Sequence, residues 1–157
     1  ITITEAAAFS FGTNMTGKAG TTCSIASIIT PGAGALLAVD ALAFPADVSG
    51  DGCTGTTDAV AGDYLMTGAS GSTVTILMAK ATDTDYTFDP AGQYNDQAAA
   101  GADVSTTYFT DAAFNVALNG AGASGTGRLS VGGTLTILND LVASTSYAIA
   151  YDISVVY

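Results

Sequence analysis

Apolar and polar residues alternate along the last eleven residues of the chain, 147–157. The odd positions carry the large apolar side chains, which are Tyr147, Ile149, Tyr151, Ile153, Val155 and Tyr157. The even positions are mostly small or polar. Because successive side chains of a β-strand point to opposite faces, this alternation predicts a strand with one face in a core and the other largely open.

Residues 1–11 show the same alternation at the other end of the chain. One face carries Ile1, Ile3, Ala7 and Phe9, and Glu5 interrupts it. An apolar strand must be buried either in its own sheet or in the sheet of a neighbouring subunit, because exposed apolar edges invite association. The second alternative would make this chain the subunit of a filament.

The remaining pattern predicts several short strands separated by clusters of Gly, Ser and Asp, as in an all-β sandwich or barrel. We expect strands over 21–29, 73–80 and 112–119, and a strand or a short helical turn over 36–44. The four residues Gly68–Gly71 predict a hairpin turn. Residues 128–138 form either two short strands or one strand bent at Gly132 and Gly133, because paired glycines within a strand mark bulges or bends.

The segment 83–102 differs from its surroundings, since it is rich in Asp, Gly, Ala and Gln and contains Pro90. It predicts a long loop or insertion. No segment shows sustained helical periodicity and no linker divides the chain. The 157 residues therefore predict a single domain, residues 1–157, with an all-β sandwich fold.

The charge composition argues against several classes of function. Only 11% of the residues are charged, with 14 acidic and three basic side chains and no His. Without a basic patch, neither nucleic acid nor an anionic membrane surface is an expected partner. Without His, the usual acid–base and nucleophilic sites cannot be assembled, so we expect no enzyme and no cofactor. Paired carboxylates such as Asp83 with Asp85 are the remaining catalytic option.

The two cysteines, Cys23 and Cys53, allow two interpretations, a disulfide or a pair of buried thiols. The scarcity of Lys and the abundance of Thr favour the disulfide and an extracellular setting. No apolar run approaches the roughly 18 residues of a membrane-spanning helix, so we expect no membrane insertion. No leader is visible ahead of Ile1, which leads us to expect a mature chain secreted after signal-peptide removal.

One segment has the spacing of a calcium-binding loop. Asp47, Ser49 and Asp51 occupy the first, third and fifth positions, Gly52 the sixth, and Asp58 the twelfth. The alternative is an Asp/Gly turn beside a cysteine. Because Asp is shorter than the usual Glu at the twelfth position and helical flanks are absent, calcium is the weaker of the two interpretations.

Three sequence motifs together resemble a known family. These are Phe9-Ser-Phe-Gly12, Val131-Gly-Gly-Thr-Leu-Thr-Ile137 and the alternating segment 147–157. In their order and positions they resemble a family of secreted bacterial β-domains of unknown function. That family is similar to pilins of the alternate chaperone–usher class and to spore-coat-U-like proteins.

This resemblance implies an immunoglobulin-like sandwich that lacks its final strand, which the N-terminal segment of the next subunit supplies. It implies a donor strand with the face Ile1, Ile3, Ala7 and Phe9. The implied acceptor groove is lined by Tyr147, Ile149, Tyr151, Ile153, Val155 and Tyr157. The implied partners are copies of the same chain, head to tail, with a periplasmic chaperone and an outer-membrane usher.

Two hypotheses about function follow. The first is a structural, pilin-like subunit of an extracellular bacterial filament or fimbria that polymerises by donor-strand exchange. The alternative is a monomeric secreted adhesin or a calcium-dependent surface-binding β-sandwich, which would use residues 47–58 or 83–102.

Overall fold

The computed structural model describes residues 1–27, 29, 47–96, 106–109, 111–119, 124–143 and 145–157, with backbone alone for 106–109. The strands are β1 Thr2–Ala7, β2 Thr22–Ile25, β3 Val48–Ser49, β4 Gly62–Ala69, β5 Ser72–Met78, β6 Ala81–Thr82, β7 Tyr86–Asn95, β8 Thr106–Phe109, β9 Phe114–Leu118, β10 Ser124–Ile137 and β11 Ile153–Val156. A short 3-10 turn covers Asp51–Cys53, and these ranges contain no α-helix.

The larger of the two sheets is organised around β10, the longest described strand. One edge of β10 pairs first with β4 and then with β2, while its other edge pairs with the whole of β7. Farther out, β1 pairs with β4, β3 pairs with β2, and both β6 and β8 pair with β7. All of these pairs are antiparallel.

Gly132 and Gly133 lie where one edge of β10 changes its partner from β4 to β2. A Cβ atom at Gly132 would lie 2.2 Å from the carbonyl oxygen of Ile25, and one at Gly133 2.4 Å from that of Asp89. Gly133 also has a φ of +140°, which side chains disfavour. Glycine therefore lets one continuous strand run through this point. Of the two predicted alternatives, the structure has one strand and not two short ones.

The smaller sheet consists of β5 between β9 and β11 among the described residues. Its side chains Val74, Ile76, Met78, Val116 and Leu118 are buried against Met66, Tyr94, Leu129 and Val131 of the larger sheet. Two antiparallel sheets thus share one core, which is consistent with a β-sandwich. The prediction of an all-β fold is confirmed.

A second core cluster lies around Phe88, on a part of the larger sheet that the smaller sheet does not cover. It comprises Phe11, Cys23, Ile25, Val48, Cys53, Ala59, Ala81, Tyr86, Phe88, Leu135 and Ile137, none of which belongs to β5, β9 or β11. The partly buried side chains packed against it come from the two terminal regions: Phe9, Met15, Leu141, Tyr147, Ile149 and Tyr151. Among the described residues, irregular segments from both ends of the chain therefore cover this core.

Two local predictions differ from the structure. Residues 68–71 do not close a hairpin, because β4 belongs to the larger sheet and β5 to the smaller, and the turn at Gly71 carries the chain between them. Residues 83–102 are not simply a loop, because they contain the ten-residue strand β7. In β7 the buried positions alternate from Tyr86 to Tyr94 and include Pro90 and Gly92, which disguise the strand pattern. The predicted element over 36–44 lies outside the described residues.

Candidate functional site

The N-terminal and C-terminal segments meet at an aromatic cluster around Phe88. The ring of Phe9 stacks on that of Phe88 with centroids 4.9 Å apart, and Phe11 meets both rings edge-on. The ring of Tyr151 lies 5.3 Å from that of Phe88 and 5.9 Å from that of Phe9. The predicted donor face therefore contacts the predicted acceptor groove within the same chain.

Among the described residues, the N-terminal strand β1 is at the edge of the larger sheet and pairs with β4. In this register Ile3 lies opposite Met66 and Glu5 opposite Tyr64. Ile3 is half-buried against the shared core, whereas Ile1 is 40% exposed. The candidate donor strand is thus held by one strand edge and by the side chains of its inward face.

The C-terminal segment keeps the alternation that its sequence predicts. From Tyr147 to Val155 the odd positions are half-buried and the even positions are exposed, while Tyr157 is exposed. Only Ile153–Val156 forms a strand, β11, which pairs with β5 at the edge of the smaller sheet. The hydroxyl of Tyr157 reaches back to the larger sheet, where the amide of Ala69 donates to it at 3.4 Å.

The main chain just before β11 is largely unpaired. Between residues 146 and 151 no backbone-to-backbone hydrogen bond forms within the described part of the chain. The carbonyl oxygen of Ala148 accepts a hydrogen bond from the Tyr86 hydroxyl at 2.7 Å. An extended segment with apolar side chains turned inward and free main-chain groups has the chemistry that an added strand requires.

Tyr64 and Tyr151 connect the edge of the larger sheet to this segment, since their hydroxyl oxygens share a hydrogen bond of 2.7 Å. Burial raises the pKa of both hydroxyls above the ordinary tyrosine value, and the charge of Glu5 acts in the same direction. The two side chains therefore keep their protons to a higher pH than an ordinary tyrosine does. No sequence pattern singles out Tyr64, because this contact joins residues 87 positions apart.

Two carboxylates of the predicted calcium loop, Asp51 and Asp58, have different hydrogen-bond partners. Asp51 Oδ1 accepts a hydrogen bond from the amide of Thr22 at 3.1 Å. The carboxylate of Asp58 instead faces Thr13, whose amide and hydroxyl donate to its two oxygens at 2.7 and 2.9 Å. Within the described ranges no three Asp, Glu, His or Cys side chains are grouped to hold a metal ion. The three carboxylates of the candidate set, Asp47, Asp51 and Asp58, are therefore not grouped as metal ligands.

The disulfide interpretation of the two cysteines is confirmed. Cys23 of β2 is bonded to Cys53 of the 3-10 turn, with Cα atoms 4.8 Å apart. Cys23 is fully buried in the cluster around Phe88, and Cys53 is 7% exposed. The bond fixes the loop over 50–58, and with it Asp58, to the larger sheet.

An ion pair lies on the other face of the larger sheet and has no counterpart in the sequence predictions. The guanidinium Nε of Arg128 donates to Asp63 Oδ1 at 2.7 Å, and its Nη2 contacts the other carboxylate oxygen. Both side chains are largely buried. The pair satisfies a carboxylate within β4, but nothing around it in the described residues indicates a substrate.

Comparison with family models, with curated proteins and with solved structures finds no match to this chain. The described residues also include no helix with the length and apolar character needed to cross a membrane.

Proposed function

We propose that this chain is a structural, non-enzymatic subunit of an extracellular bacterial filament or fimbria. In the filament, the N-terminal strand of one subunit fills a groove of the next. The groove is the space between β4 and residues 147–157, which we call the terminal groove. A head-to-tail contact of this kind does not close on itself and so generates a filament.

One observation supports this proposal: apolar side chains of residues 1–9 pack against Tyr151 and the core of their own chain. Phe9 contacts both Phe88 and Tyr151, and Ile3 packs against the shared core. These contacts supply the two elements of strand addition, which are main-chain pairing along one edge and pockets for alternate side chains. The N-terminal strand of another copy of the chain could make the same contacts with β4, Phe88 and Tyr151.

We propose that the sandwich is immunoglobulin-like and that a donor strand completes it in the assembled state. Exposed strand edges promote uncontrolled association, so such a subunit would need protection before assembly. A periplasmic chaperone and an outer-membrane usher are the partners that this mode of assembly implies.

The extracellular location is part of the proposal and is supported by the disulfide. Disulfides form and persist in oxidising compartments and are rare in the cytosol. The bond between Cys23 and Cys53 is well shielded, because Cys23 is fully buried. A subunit exposed on a cell surface would gain stability from it.

The proposal can be tested by removing the donor strand. Deletion of residues 1–8 is expected to leave a folded domain that no longer polymerises, as judged by circular dichroism and electron microscopy. A matched pair of substitutions refines the test in the full chain, since Ile3 points inward and Thr4 is exposed on the same strand. Ile3→Asp should suppress filaments and Thr4→Asp should spare them. Filaments from the deletion variant would refute the donor role.

A further inference from the structure

We infer that residues 1–11 are an exchangeable arm, which moves about a hinge at residues 12–14 and can leave its own chain to bind another copy. This inference rests on the proposed function. It adds three features to that function. These are the contacts that hold the arm, the position of the hinge, and a set of hydrogen bonds, which we call the clamp, that fixes the hinge to the rest of the domain, which we call the body.

The arm is held by strand pairing at its start and by aromatic side chains at its end, including the buried Phe11. Five residues of β1 pair with β4, and Ser10 makes two backbone hydrogen bonds with Val60, at 2.9 and 2.8 Å. The remaining contacts come from side chains such as Ile3 and Phe9. An identical arm from a second copy can remake all of these contacts, which is the condition for exchange of an element between protomers.

The hinge lies directly after the arm, where the backbone adopts unusual conformations. Gly12 has a φ of 78° and Asn14 a φ of 60°. A left-handed conformation is accessible to Gly but costs free energy at other residues, and short strained hinges favour exchange. A Cβ atom at Gly12 would lie 2.3 Å from Asp58 Oδ1, so the close approach of the hinge to Asp58 also requires glycine.

A clamp fixes the body side of the hinge. The Thr13 amide and hydroxyl both donate to the Asp58 carboxylate, and the Thr13 carbonyl oxygen accepts a hydrogen bond from the Thr56 hydroxyl at 3.2 Å. Residues 56–58 belong to the loop over 50–58 that the disulfide at Cys53 ties to the larger sheet. The boundary between arm and body therefore falls at residues 12 and 13.

Exchange can be detected by crosslinking, because Thr2 lies directly opposite Thr67 across β1 and β4. Directly opposed residues in antiparallel strands have Cα separations within the range of a disulfide. Full-length Thr2→Cys protein is mixed with full-length Thr67→Cys protein, incubated and mildly oxidised. Exchange predicts an interchain disulfide between positions 2 and 67, which mass spectrometry identifies. Thr73→Cys, an exposed position on the smaller sheet, replaces Thr67→Cys as the control.

The clamp predicts how a second substitution changes the result. Asp58→Asn removes the charge that holds Thr13, so it should raise the rate of crosslinking between positions 2 and 67 severalfold. Asp140→Asn is the matched control, because Asp140 is an exposed carboxylate that accepts a hydrogen bond from the amide of Ala19 at 2.8 Å, away from the arm. It should leave the rate unchanged.

The outcomes separate this inference from the proposed function. Crosslinking no higher than with the Thr73→Cys control would overturn arm exchange, even if the unmodified protein forms filaments. Specific crosslinking without filaments would support arm exchange and count against the filament role. Equal rates for Asp58→Asn and Asp140→Asn would overturn the assignment of Asp58 as the clamp.

Discussion

The hydroxyl of Tyr64 lies 2.7 Å from the hydroxyl of Tyr151, and this contact joins the strand that pairs with the N-terminal segment to the C-terminal segment. Tyr64 lies in β4, opposite Glu5 of the N-terminal strand. Tyr151 belongs to the C-terminal segment and also contacts the rings of Phe9 and Phe88. The terminal groove is therefore lined by both aromatic and hydrogen-bonding groups.

The Tyr64–Tyr151 contact predicts a particular sensitivity to alkaline pH. Burial raises the pKa of both hydroxyls, so the folded chain keeps their protons above pH 10, where tyrosines of the unfolded chain lose them. The unfolded state then binds fewer protons, and the free energy of unfolding falls as pH rises. We expect the loss to begin near pH 10, as followed by denaturant titration at a series of pH values.

Tyr151→Phe tests the same contact at neutral pH. It removes one hydrogen bond and should lower the free energy of unfolding by about 1 kcal/mol. It should also reduce the alkaline loss of stability, because one of the two buried hydroxyls is gone. Tyr157→Phe is the control, since Tyr157 is 65% exposed. An unchanged alkaline profile in Tyr151→Phe would contradict this account.

Asp58 predicts the opposite dependence on pH. The hydrogen bonds from the Thr13 amide and hydroxyl lower the pKa of its carboxyl below the ordinary value. This contribution to stability is present above about pH 4, the value for the unfolded chain, and is lost as pH falls through the lower folded value. Denaturant titrations should therefore show Asp58→Asn less stable than the unmodified chain at neutral pH. The difference should shrink in strong acid, and a constant difference would argue against a charged clamp.

The disulfide should contribute strongly to stability. Cys23 and Cys53 are separated by 30 residues in sequence, and closing a loop of that size stabilises a protein by about 3–4 kcal/mol through the entropy of the unfolded chain. Replacing both cysteines with Ser should lower the free energy of unfolding by that amount, as measured in denaturant. Reductant should then have no effect on the double variant. A change below about 1 kcal/mol would contradict the expected role of the bond.

Gly133 should tolerate substitution poorly. Gly133→Ala would place a Cβ atom against the carbonyl oxygen of Asp89 in a backbone conformation that disfavours side chains. Gly20→Ala is the matched control, because Gly20 has a φ of +84° but no atom near the position of a Cβ. We expect Gly133→Ala to be less stable than Gly20→Ala by about 1–3 kcal/mol in thermal or denaturant unfolding. Equal losses would indicate that the close approach has no cost.

The sequence predicts the strands of this protein best where apolar residues alternate without interruption. Val74, Ile76 and Met78 share one buried face of β5, and Val116 and Leu118 do the same in β9. Strand β7 escaped prediction because Pro90 and Gly92 occupy inward positions that usually carry large apolar side chains. Local alternation therefore indicates strands only when the residues that fill the core are themselves apolar and large.

The sequence predicts which strands pair less well than it predicts where the strands lie. A turn that contains Gly71 is compatible both with a hairpin and with a passage between two sheets, and the difference depends on packing far along the chain. The contact of Phe9 with Tyr151 and the clamp between Thr13 and Asp58 likewise join distant residues. Alternation predicts which faces of the terminal segments are apolar, but not that the two faces meet within one chain.

Electron microscopy of the protein isolated from its native source tests the central claim most directly. We predict regular filaments that contain this chain as their repeating subunit and that disappear when residues 1–8 are deleted. Dispersed single particles at all concentrations would contradict the filament role and favour a self-contained sandwich in which β1 remains paired with β4.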